Sequence, residues 1–166
     1  MTIDDLNDPV DRALLPILRH AVYAFTCPER CAWRSAYMIA AERWGEPRGL
    51  ALAHATIDLV SAVLSKDITL EIQDPLDVQQ RSEVTEQEHQ ILLMVRFMRQ
   101  QDKANARNVM MQLCDGHIYA AVVRAALALA SRLDHTGPNH TGPNYTGPDQ
   151  IRSVRNANAP RLSAVS

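Results

Sequence analysis

Cys27, Cys31, Cys114 and His20 have side chains suited to soft metals or redox work. Thiolates and imidazoles are the ligands zinc prefers, and a structural zinc site normally joins two close ligand pairs. Cys27 and Cys31 make one such pair, and no second pair accompanies them. Cysteine is also among the most buried residue types and packs as a small hydrophobe, which is the simpler account of all three thiols. Cys27 precedes Pro28 and Glu29 at an expected helix start, with Arg30 and Arg34 one and two turns on. A helix N-terminus and nearby cations lower a thiol pKa and make it reactive. A thiol-based metal or redox sensor is therefore one function class to carry forward.

His54, Asp58 and Ser61 follow one another at helical spacing and suggest a Ser-His-Asp arrangement. Three residues on one helix face lack the oxyanion donors and the bent nucleophile turn that such chemistry uses. An exposed polar stripe explains them better, and no catalytic residue is assigned. Glycine-rich phosphate loops, paired CxxC motifs, HExxH and EF-hand loops do not occur. The reading therefore names no cofactor, leaves any metal unknown and disfavours an enzyme.

Val84-Thr85-x-x-Glu88-x-x-Ile91-Leu92 resembles the opening of the LuxR-type helix-turn-helix, Leu-Thr-x-x-Glu-x-x-Val-Leu, over nine residues. That resemblance implies a DNA-binding transcriptional regulator, in which a later helix carries polar and basic side chains to base edges. The last helix here offers mostly Ala, Val and Leu, with Arg124 and Arg132 its cations. Nucleic acid is thus the less favoured partner.

Elements able to position these residues are helical. Asp8-Pro9 suits a helix start, followed by Leu14, Ile17, Leu18, Ala21, Val22 and Phe25 at spacings of three and four. Pro16 within that pattern predicts a kink, or a restart near it. Thr26 or Cys27 is expected to cap a second helix with Trp33, Tyr37, Ala40 and Trp44 as its buried stripe, stopped by Gly45. Pro47 opens a third, with Leu50, Ala53, Ile57, Val60 and Leu64 inward and Leu52, Leu59 and Val63 widening the stripe.

The period then changes. Asp67 to Gln73 alternates strictly through Ile68, Leu70 and Ile72, as a half-buried strand does. A lone strand leaves its backbone groups unpaired, so it must be an extended connector or pair with a second copy of the chain. After a polar loop, Thr85 and Glu88 form a capping box for a fourth helix, with Ile91, Leu92, Val95 and Met98 inward. Asp102 caps a fifth, with Ala106, Val109, Met110 and Leu113 inward, and Asp115-Gly116 turns into His117 to Leu133. That last helix, apolar over most of its circumference, is expected to be the hub of the bundle, since it is too short to span a membrane.

Composition sharply changes after Leu133. HTGPN, HTGPN and YTGPD repeat in tandem, and residues 150–166 carry Arg152, Arg155 and Arg161 without an acid. Such a segment has little to bury and reads as a disordered tail. A net charge of −2 gives no general attraction to nucleic acid or anionic membranes. The acidic first residues lack the layout of a secretion signal, and three cysteines cannot all pair, which points to a reducing cytoplasm.

The sequence thus predicts an all-α bundle of about six helices in 1–133, three before the extended segment and three after, with a low-complexity tail over 134–166. Its expected role is non-catalytic: a bacterial-type cytoplasmic protein that regulates by binding another protein. Trp33, Trp44, Ile68, Leu70 and Ile72 are the candidate interface residues, the last three also for a homodimer.

Overall fold

A computed structural model describes residues 1–133, and the tail expected over 134–166 lies outside the described residues. Six α-helices form: α1 (Pro9–Thr26), α2 (Ala32–Trp44), α3 (Glu46–Leu64), α4 (Glu86–Arg99), α5 (Lys103–Leu113) and α6 (Ala120–Leu133). No sheet occurs among the described residues, where one isolated bridge joins Thr2 to Glu83. The fold is the all-α bundle that the periodicities predict, with no helix among these residues long and apolar enough to cross a membrane.

Four helices close a ring in which α1 packs on α3, α3 on α6, α6 on α4 and α4 on α1. α2 packs across α1 and α3, and α5 lies against α4. Three helix starts follow from local chemistry. The Asp8 carboxylate accepts from the Val10 N–H at 2.8 Å, Thr85 and Glu88 complete their capping box, and Asp102 accepts from the Asn105 N–H. Each satisfies donors that a helix end leaves without partners.

The turn between α2 and α3 is a single residue, Gly45, at φ +79. Gly49 then lies so close to α2 that a Cβ would overlap the Ala40 carbonyl and the Ala41 Cα. Ala36 and Ala40 are fully buried on the facing helix. Small residues on both sides let these backbones approach.

Several expectations need correction. α1 does not restart at Pro16 but continues through it to Thr26. Pro16 takes one N–H from the ladder, at a cost of about 3 kcal/mol, and the burial of Leu14, Leu15, Ile17, Leu18 and Val22 around it outweighs that. Thr26 and Cys27 do not start α2. α1 extends to Thr26, a 3-10 turn covers Pro28–Arg30, and Cys31 in a left-handed conformation precedes Ala32. The inward stripe of α2 is consequently Ala32, Ala36, Ala40 and Trp44, while Trp33 is 50% exposed. On α3, Leu52, Leu59 and Val63 are buried and Leu50 is exposed, so the stripe centres on the positions expected to widen it.

α6 is one side of the ring and not its hub. His117 to Tyr119 stay outside the helix, and Leu127 is 49% exposed. Five residues of α6 are buried against ten of α1. An Ala-rich helix is apolar all round without being surrounded, because α5 leans on α4 and does not cover it.

The alternating segment 67–73 is an extended connector and makes no strand. Leu70 is buried, and Ile68 and Ile72 pack partly buried against the core. Its backbone finds partners on the first turn of α4. The Gln73 N–H donates to Glu88 Oε1 at 3.1 Å, the Glu71 N–H to Gln87 Oε1, and Thr85 Oγ1 to the Glu71 carbonyl at 2.7 Å. Gln87 Nε2 donates to the Thr69 carbonyl at 3.2 Å. Ile68, Leu70 and Ile72 thus turn inward, while the backbone of Thr69, Glu71 and Gln73 between them meets side chains at the start of α4.

Candidate functional site

The residues singled out for chemistry do not converge. Cys31 is exposed, Cys27 half-buried and Cys114 buried. Burial, with Asp115 beside it, pushes the Cys114 thiol up, away from the thiolate a metal or redox reaction needs. Cys27 ends α1, its N–H donating to the Tyr23 carbonyl, so the helix start that would activate it belongs to Cys31. His20 is half-buried on α1, and burial pushes its imidazole pKa down against the pull of Asp74. Among the described residues, no group of three or more His, Cys, Asp and Glu is placed to hold a metal ion. His54 Nδ1 stands 3.6 Å from Asp58 Oδ1 on an exposed face.

Of the candidate interface residues, Trp44 and Leu70 are buried in this chain's own core, and Ile68 and Ile72 pack against it. Trp33 remains at the surface, its ring edge-on to Tyr37 at 6.3 Å.

Charge, meanwhile, organises the interior. α1 and α4 run antiparallel and are joined at both ends. Arg99 Nη1 donates to Asp8 at 3.1 Å, Arg96 Nε to Asp11 at 2.9 Å, and Arg19 Nε to Glu88 at 2.7 Å. The positions keep step, since 8 to 19 on one helix and 99 to 88 on the other are both eleven residues, about three turns. Acids near the start of α1 and cations near the end of α4 also complement both helix dipoles.

Glu88 is the centre of the fully buried end. Oε1 accepts from Arg19 and from the Gln73 N–H, and Oε2 accepts from Arg19 Nη2 at 2.9 Å and the Thr85 N–H at 3.0 Å. Arg19 also donates to the carbonyls of Arg81 and Glu83. One ion pair thereby holds α1, α4 and both stretches of the connector. At the other end, burial raises the Asp11 carboxyl to about 6, with Arg96 pulling in the opposite direction. The capping box pointed to Glu88 as a helix start, and the one clue to its role as an anchor was the run of charges on α1, Asp8, Asp11 and Arg19.

Beyond the Asp8–Arg99 end lies an apolar concavity. α5 and α6 both lean on α4 and leave between them a groove of about 340 Å³. Met98, Ala106 and Met110 form its floor and one wall, with Val123, Leu127 and Ile118 opposite. Ile118 is 45% exposed, so two large aliphatic side chains at this groove face water. Lys103 and Arg107 stand on the lining, and neither has an ion pair among the described residues. Methionines adapt their shape to a partner, and such surfaces bind amphipathic helices.

α6 presents Arg124 at the surface, and Arg132 Nη1 donates to the Ala128 carbonyl within the helix. Val122, Ala126, Leu129, Ala130 and Leu133 are committed to the core, so this helix has one free side for any partner. No protein-family model, curated protein or solved structure matches the chain.

Proposed function

We infer that this is a non-catalytic regulatory protein that binds another protein, and that the groove between α5 and α6 receives it. The observation that carries the reading is the exposure of Ile118 and Leu127 beside an apolar groove with two uncompensated cations. Exposed apolar surface gathered in one concavity marks a binding site, whereas scattered exposed residues do not. The occupant that fits is one face of an amphipathic helix, with acidic residues flanking its apolar anchors to meet Lys103 and Arg107. Three unpaired thiols suit the reducing cytoplasm in which such a regulator would act.

The test is a photo-crosslinking residue at position 127 in the full chain, expressed in its native host. A single crosslinked partner is expected, joined through an acidic amphipathic segment and lost in Lys103→Glu with Arg107→Glu. Crosslinks that are unselective, or that survive the double charge reversal, overturn the reading. So does light scattering that shows a dimer of the pure chain dissociated by Leu127→Asp, because the groove would then be a contact between copies. Duplex DNA retarded in a salt-dependent manner, and released by Arg124→Ala with Arg132→Ala, would replace it with the DNA-binding alternative.

A further inference from the structure

At the Arg19–Glu88 end of the α1–α4 seam lies a second concavity, of about 630 Å³, between α1, the end of α2 and the connector. Arg12 and Arg19 of α1, Arg43 of α2 and Arg81 of the connector line it, with Asp4 the one carboxylate in the lining. Arg19 is neutralised by Glu88. Arg12, Arg43 and Arg81 form no ion pair among the described residues. A chain of net charge −2 therefore gathers three uncompensated arginines from three separate elements into one cleft.

Like charges collected in a concavity repel one another, and the field they focus attracts an anion. His20 lines the same cleft, its Nδ1 buried and without a hydrogen-bond partner among the described residues. The cleft is also prearranged. Arg19 is held by Glu88, and it fixes the connector by donating to the Arg81 and Glu83 carbonyls, which sets where Arg81 and Ser82 stand.

We propose that this cleft binds a small organic phosphate monoester. Guanidinium forks match phosphate oxygens in pairs, and a monoester carries close to two negative charges at neutral pH. The three arginines outnumber Asp4 in the lining and Asp74 beside His20, which leaves the cleft net positive toward such an anion. The volume lies within the range of small-molecule pockets and far exceeds what free phosphate would fill. Ile3 and Pro16 supply an apolar wall for the organic body. The phosphate sits among Arg12, Arg43 and Arg81, and the body lies along α1. Binding here involves different residues from the α5–α6 groove, so either assignment can fail alone.

Isothermal titration of the full chain in chloride buffer tests this, with AMP, glucose 6-phosphate, citrate and inorganic phosphate as probes. At least one monoester is expected to bind at least roughly tenfold tighter than inorganic phosphate. Arg12→Ala and Arg43→Ala should each weaken it by roughly tenfold or more, the loss of a charge-assisted hydrogen bond. Arg81→Ala, on the exposed connector, gives the same reading if a helix variant fails to fold. Arg107→Ala, in the groove, should leave it unchanged. Monoesters no tighter than inorganic phosphate overturn the proposal, as does tightest binding by citrate, which would make the cleft a polycarboxylate site. Binding that survives Arg12→Ala with Arg43→Ala overturns it as well.

Discussion

Both ends of the α1–α4 seam pair an arginine with a carboxylate, and the outermost pair at each end differs in water. Arg19 and Glu88 have side chains 4% and 0% exposed, while Arg99 and Asp8 are 20% and 19% exposed. At the dry end every charged oxygen is engaged by a donor, and the pair organises a cleft. At the wetter end Arg99 and Asp8 keep part of their surface in water. Burial turns one ion pair into an architectural joint and leaves the other a modest clip, because an unpaired charge is costly only where water cannot reach it.

Breaking the dry end has the largest expected effect. Glu88→Ala leaves Arg19 buried without its partner and frees the Gln73 and Thr85 N–H groups, at a cost of about 3–5 kcal/mol. Urea denaturation measures this, and hydrogen exchange should show the connector opening first. An unchanged midpoint would mean that water replaces the network, and the contrast between the ends would disappear.

Acidification tests the other end through Asp11. Its folded carboxyl titrates near 6 against 3.8 for an unperturbed group, so the folded state binds a proton more readily than the unfolded one. Stability from this group therefore rises as pH falls through about 6 and is complete below about 3.8, with a gain of at most roughly 3 kcal/mol. Asp11→Asn should remove that pH dependence from thermal melts. Arg99→Ala, at the same wet end, should cost about 0.5–1 kcal/mol and less in high salt. Smallest of all, Leu127→Asp should shift stability by no more than about 0.5 kcal/mol, as for an exposed position, while removing partner binding. A large loss of stability there would make the groove part of the core.

Local chemistry was legible wherever it acts within one helical turn. The Asp8 and Asp102 caps, the Thr85–Glu88 box and the Gly45 stop all stand where spacing placed them. The inward set Ala106, Val109, Met110 and Leu113 was legible for the same reason, because these apolar residues recur on one face of α5. Where apolar residues covered more than one face, the sequence could not choose between them. Trp33 and Trp44 both suited the core of α2, and Leu50 and Leu52 both suited that of α3, until neighbouring helices decided. The candidate surfaces were less legible still. Arg12, Arg43 and Arg81 are far apart in sequence, and only folding joins them in one cleft.

Sequence by itself determined that this chain is helical, where most of its helices begin, and that 67–73 alternates. Tertiary structure decided that the alternating segment forms no strand within the chain, where side chains at the start of α4 bond the backbone of Thr69, Glu71 and Gln73. It also decided that α1, and not the more uniformly apolar α6, has the most buried positions. Periodicity is a property of one helix and survives in the sequence. Which side is covered depends on how many other helices reach it, and that is settled only when all six have packed.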